Sequence, residues 1–163
     1  MTLPNDISIG HSLAHLKQIA PGGFALGVHI HFAAPKLMFN CYPLAWVESY
    51  ARQGLLMHDP TVRWAMSNEG VRRWEEFDAS EDPRDVMTQA ASYGLRYGVS
   101  ISMTNDAHSF GGLAHPDRPF ETAEIEEMQA ELARLHDLTR EVETLGPAMR
   151  ARLGELSIAV VTA

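Results

Sequence analysis

The order in which strand-forming and helix-forming runs follow one another most constrains what this chain can fold into. Residues 24–34, FALGVHIHFAA, are rich in strand formers and stop at Pro35, and residues 36–42, KLMFNCY, follow after a very short turn. So short a connection joins antiparallel neighbours, which predicts a hairpin. A second hairpin is predicted from VSISM, residues 99–103, and SFGGLAH, residues 109–115, with TNDAH or part of it as the turn. Helical segments lie before, between and after the hairpins. Leu13, Leu16 and Ala20 share a face over residues 11–20, and Leu44, Val47 and Ala51 do so over residues 43–54. Asp59 before Pro60 and Asp82 before Pro83 each read as an N-cap followed by proline at the first helical position. The first predicts a helix through Val62 to Ala65, and the second one with Val86, Ala90 and Tyr93 on its face. Residues 121–145 place Ile125, Met128, Leu132, Leu135, Leu138, Val142 and Leu145 at steps of three and four, a strongly amphipathic helix. The spacing leaves open whether that face meets the chain's own sheet or a second subunit. With LSIAVVTA, residues 156–163, as a candidate fifth strand, the predicted fold is α+β, an antiparallel sheet of about five strands sandwiched between helices in α-β-α layers.

Composition removes several function classes. The 163 residues suffice for one domain, expected over 1–163, that buries roughly 70% of its unfolded surface. A net charge of −8, with lysine only at Lys17 and Lys36, argues against direct nucleic-acid binding by this chain. There is no apolar run of about 18 residues for a membrane span and no basic cluster ahead of an apolar core for a signal peptide. The single cysteine, Cys41, cannot form an internal disulfide, which fits a reducing compartment, so a cytoplasmic location is expected. No cofactor is expected.

The chemistry concentrates in residues 41–77, which hold all three tryptophans, two of the four tyrosines and the Asp59–Pro60 step. Trp46 and Tyr50 lie one helical turn apart, and Asp59 returns from the next helix. Such residues most often serve as core and cap. Together they would also supply an apolar wall with an indole donor, a phenol and a carboxylate acceptor, the make-up of a pocket for a small amphiphile.

The spacing of Tyr42, Trp46, Tyr50, Asp59–Pro60 and Trp74, followed by Gly98 in GVSISM and by FGGLA, resembles the autoinducer-binding domain of LuxR-type quorum-sensing regulators, from about Leu13 to Leu145. The resemblance implies an antiparallel sheet between helices enclosing an N-acyl homoserine lactone. It implies that Trp46 donates to the lactone carbonyl, Asp59 accepts from the ligand amide, and Tyr42 donates to the acyl carbonyl with Tyr50 alongside. Thr61 would offer a second polar contact and Trp74 would pack over the lactone end. Trp64 matches no motif and is assigned to the core. Many members carry a Ser or Thr on a late strand. Here Gly112 and Ala114 stand at those positions, and neither has a hydroxyl. Full-length members continue into a helix-turn-helix domain, for which nothing after Leu145 has the length or basic charge. A pairing module or anti-activator is therefore the alternative, forming homodimers or heterodimers through the 121–145 helix.

Rival readings are weaker. His29 and His31 would share one strand face, the start of a metal site such as that of a metal-dependent hydrolase, but no third ligand has recognisable spacing, so they read as the polar outer face of a half-exposed strand. Cys41 lacks a partnered His, and Arg72–Arg73 reads as solvated surface.

Overall fold

A computed structural model of the protein describes residues 5–31, 34–140 and 159–162. The chain runs α1 (Asn5–Ile19), β1 (Gly23–His31), β2 (Ala34–Asn40), α2 (Leu44–Arg52), α3 (Pro60–Ser67), β3 (Gly70–Arg73), α4 (Val86–Ser92), β4 (Tyr97–Asn105), β5 (Ala107–His115), α5 (Thr122–Leu138) and β6 (Ala159–Thr162). Both predicted hairpins form. β1 pairs antiparallel with β2, and β4 with β5 through a tight turn at Asp106, whose φ is 67°. β1 also pairs with β5, giving a sheet in the order β3-β4-β5-β1-β2-β6.

The sixth strand is β3, which the sequence reading missed. Its four residues, GVRR, show no alternation and become a strand only by pairing with β4, Gly70 opposite Ser102 to Arg73 opposite Val99. Its arginines are not free surface charges. Arg72 pairs with Glu81 at 2.9 Å and lies 4.0 Å over the Phe77 ring, while Arg73 donates to the Phe120 carbonyl at 2.6 Å. Asp82 is not the N-cap of α4: the helix starts at Val86, after Asp85 in the left-handed region (φ 52°), and the Asp82 carboxylate, three residues before that cap, accepts from the N–H groups of Val86 and Met87 at 2.8 and 2.9 Å.

Each face of the sheet has its own partner. Phe24, Leu26 and Val28 of β1, with Leu37 and Phe39 of β2, pack against Ile9, Leu13 and Leu16 of α1 and Met128, Leu132 and Leu135 of α5. The open question about α5 is thereby answered for residues 122–138, because its apolar face packs on the chain's own sheet. Pairing through that face would require dismantling the core. Val142 and Leu145 lie outside the described residues. No described helix is long and apolar enough to cross a membrane.

His29 and His31 do not share a face. His29 has φ 52°, and the β1–β5 register shifts between Gly27 and Ile30, the extra residue of a bulge. The bulge turns His29 into the α5 layer, where its ring stacks 4.3 Å from that of His136, its Nε2 bonds the His136 carbonyl at 2.8 Å and its N–H donates to Ser109 Oγ at 3.0 Å. His31 is exposed. The polar-outer-face reading therefore fails for His29, and no group of three or more metal-ligating side chains occurs among the described residues.

Two predictions follow from this packing. Leu132→Ala is expected to lower the unfolding free energy by about 2–5 kcal/mol in urea denaturation, with no change of solution mass. Burial lowers the His29 pKa below 6.5, so the unfolded chain binds this proton more readily than the folded one. The stabilisation is present above that value and lost as pH falls through the folded pKa. Urea midpoints are expected to decline below about pH 6.5, less steeply in His29→Gln.

Candidate ligand-binding site

Facing the other side of the sheet, α2, α3 and α4 do not close down on the strands. They leave a cavity of ≈ 370 Å³. Its floor comes from Ala25, Gly27 and Ile30 of β1, Pro35, Met38 and Asn40 of β2, and Phe110, Gly111 and Gly112 of β5. Its roof includes Val47, Val62, Val86, Met87 and Ala90. Leu56, Met57 and Met66 also line it, yet are 54%, 82% and 44% exposed, so they mark where it opens to solvent.

The polar end is built around α2 and the start of α3. Trp46 and Tyr50 stand one turn apart with rings edge to face, centroids 5.5 Å apart at 70°, and Tyr93 backs Trp46 at 5.4 Å. A left-handed Gly54 (φ 63°) and a short 3₁₀ turn, Leu55–His58, lead to Asp59. Asp59 is the N-cap of α3, as predicted. Its Oδ1 accepts from the Thr61 N–H at 2.9 Å and the Thr61 hydroxyl at 2.6 Å, and its Oδ2 accepts from the Tyr50 hydroxyl at 2.8 Å. Burial raises the Asp59 pKa against the opposing pull of the Thr61 and Tyr50 hydrogen bonds. The Tyr50 phenol is pushed up by its burial and by the Asp59 charge, and that of Tyr42 likewise. Both tyrosines are therefore neutral donors at pH 7.

The core-or-pocket alternative posed by the sequence thus dissolves, since the same residues are packed, capping and cavity-lining. Two donors remain. Neither the Trp46 indole N–H nor the Tyr42 hydroxyl has a hydrogen-bond partner among the described residues. None of those residues carries a side-chain nitrogen or oxygen that is both sealed and unpartnered. These two groups therefore open onto the cavity that both residues line.

Trp74 is laid flat by glycine. A Cβ on Gly98 would fall 2.2 Å from its ring, and its Nε1 donates to Ser100 Oγ at 3.3 Å. Because Ser100 lies opposite Gly112, the indole extends to β5, where a Cβ on Gly112 would come 2.9 Å from the Tyr42 hydroxyl and 3.2 Å from Trp74 Cζ2. The space that a serine or threonine side chain would need at Gly112 is thus held by Tyr42 and Trp74.

Of the eight residues singled out from the sequence, Tyr42, Trp46, Tyr50, Asp59, Thr61, Trp74 and Gly112 line one cavity. Ala114 shares the face of Gly112 but is buried beneath Trp46 and Trp74, outside the lining. Trp64 is not core. It is half-buried and flanks a separate shallow depression with Arg63, Arg72 and Glu81. Sequence reasoning missed Asn40, Ala25, Met38 and Phe110. Alternation could have found the first three, since Ala25 alternates with Phe24 and Leu26, and Met38 and Asn40 alternate with Leu37 and Phe39.

The family model for the autoinducer binding domain matches residues 24–141. The chain belongs to this family, the autoinducer-binding domains of LuxR type. Among curated relatives, the transcriptional activator protein SolR of Ralstonia nicotianae is 31% identical over 128 residues, which cover 77% of this chain and 53% of SolR. The chain therefore spans about half the length of that relative. The fold of the autoinducer-binding domain is also that of CepR2 from Burkholderia cenocepacia, described as an N-acylhomoserine lactone dependent LuxR family factor. The TM-score is 0.52 at 21% identity, over 84% of this chain and 95% of that one. SdiA in complex with octanoyl-rac-glycerol matches with a TM-score of 0.61 at 20% identity, over 90% of this chain and 64% of that one.

Gly98→Ala is expected to displace the Trp74 indole of this autoinducer-binding domain. Stability should fall by about 1–3 kcal/mol in urea denaturation, and the near-ultraviolet circular dichroism of the aromatic cluster should change.

Proposed function

We propose that this domain is a non-catalytic sensor that binds an N-acyl homoserine lactone or a closely related amphiphile in the cavity beneath α2 and α3. One observation carries the reading: the unpartnered donors of Trp46 and Tyr42 and the carboxylate acceptor of Asp59 converge at one end of a cavity whose lining is mostly apolar. An acylated amino-lactone needs that set, with an acceptor for its amide N–H and donors for its two carbonyls, and leaving any of them unmet costs about 1–3 kcal/mol. Trp46 takes the lactone carbonyl, Asp59 the amide and Tyr42 the acyl carbonyl. Tyr50 and Thr61 hold the Asp59 carboxylate, and Trp74 closes the headgroup side. Gly112 contributes room for the Tyr42 hydroxyl, and Ala114 supports the indoles from below. The acyl chain extends over Met38, Phe110 and Ile30 toward the mouth.

The names of the relatives support a role in transcriptional control, exercised in the cytoplasm by a protein of which this chain is the sensing part. Pairing with a second copy or with a related regulator would use surfaces other than the α5 face already packed in the core.

Thermal unfolding against lactones of graded acyl length tests the proposal. A ligand at 100 times its Kd adds about 2.7 kcal/mol, a rise in Tm of roughly 5–10 °C for a chain of this size. Trp46→Phe removes one donor. Asp59→Asn keeps an oxygen to cap α3 but turns an amide NH₂ toward the ligand N–H. Each is expected to weaken binding at least about tenfold. If no lactone raises the Tm of folded, empty protein, the cavity serves another ligand.

A further inference from the structure

We infer that Asn40 makes the cavity selective for acyl chains that carry a hydrogen-bond acceptor near the amide carbonyl, such as a keto or hydroxyl oxygen within the first few carbons. The inference rests on the reading of the cavity as an acyl homoserine lactone site.

Asn40 ends β2. Ala25 lies opposite Asn40 on one side and opposite Gly112 on the other, so the three residues form one row across β2, β1 and β5, and all three line the cavity. At the Gly112 end of the row stands the Tyr42 hydroxyl, the donor assigned to the acyl carbonyl. At the other end stands the Asn40 carboxamide. Its orientation is fixed by chemistry, because Oδ1 accepts the Tyr42 N–H at 3.1 Å and only an oxygen can do so. The NH₂ is then committed to the opposite direction, and it has no partner among the described residues. It is not sealed from solvent either. The next row along the strands, Met38, Gly27 and Phe110, carries no polar side chain. Asn40 thus places two free donors at the border between the polar head of the cavity and its apolar tail.

A bound chain of plain methylenes would expel water from those donors and offer nothing in return, whereas an oxygen at that depth would accept from them. Sites built to meet a polar group reject the analogue that lacks it. The same carboxamide anchors the Tyr42 backbone, so the test must remove the donors and keep the acceptor.

Asn40→Asp does this, keeping shape and Oδ1 and replacing the NH₂ with an oxygen that repels an acceptor. Binding of unsubstituted, 3-oxo and 3-hydroxy acyl homoserine lactones of one chain length would be measured by titration calorimetry on wild type, Asn40→Asp and Asn40→Leu, each first checked for a cooperative thermal transition. In wild type the oxygenated ligands are expected to bind at least about fivefold more tightly than the unsubstituted one. Asn40→Asp should abolish or invert that ratio for the 3-oxo ligand, whose keto oxygen can only accept, and Asn40→Leu should bring both ratios near one. Equal affinities in wild type, or a 3-oxo ratio unchanged in either folded variant, would overturn the assignment of Asn40 and leave the lactone site standing. Failure of wild type to bind any of the lactones would overturn the site reading itself.

Discussion

One buried carboxylate holds the functional half of this molecule together. Asp59 accepts the first free N–H of α3, the Thr61 hydroxyl and the Tyr50 hydroxyl, so it fixes the start of one helix and ties it to the helix before. An isolated carboxylate at this depth would be driven to protonate. Three donors offset that cost, and they also lock the angle at which α2 and α3 stand off the sheet. The cavity lies beneath the two helices so joined.

The sheet divides its labour by face. Toward α1 and α5 it presents large aliphatic and aromatic side chains, and that layer is packed solid. Toward α2, α3 and α4 it presents Ala25, Gly27 and Gly112 among the larger Met38, Ile30 and Phe110, and the small members leave the gap unfilled. A strand whose alternate positions are large and very small gives a core on one side and a void on the other from a single run of sequence. The bulge at His29 serves the same division, because it moves a polar ring out of the cavity side and into a hydrogen-bonded network with Ser109 and His136.

The elements legible in the sequence were those whose signal is local. Asp-Pro steps, apolar spacing in α5 and short inter-strand turns located most helices and both hairpins; aromatic spacing pointed to Trp46, Tyr50 and Asp59, and the family resemblance added the other four of the seven residues that share the cavity. What escaped depends on distant contacts. β3 is a strand only because β4 offers an edge, and the turn of His29 comes from a register shift against β5 that no single-strand pattern encodes. Trp64 was assigned to the core by residue type, yet the α3 face it occupies points away from both packed clusters. Asn40 was invisible as a site residue because its role depends on which end of its amide the Tyr42 backbone engages.

The ends of the sheet carry a consequence of their own. Among the described residues the outermost strands, β3 and β6, are four residues long, whereas the interior strands run to seven or nine. An edge offers another chain its unpaired amide groups, and the invitation scales with edge length. Here each long strand has a neighbour on both sides over at least part of its length: β4 is covered by β3 at Val99–Ser102, and β2, which forms part of the cavity floor, is covered by β6 at Leu37–Asn40. A neighbouring polypeptide would meet a short outermost strand at either end of the sheet. Because the outermost strands lie apart from the cavity lining among the described residues, these short margins limit edge-to-edge pairing whether or not the cavity is filled.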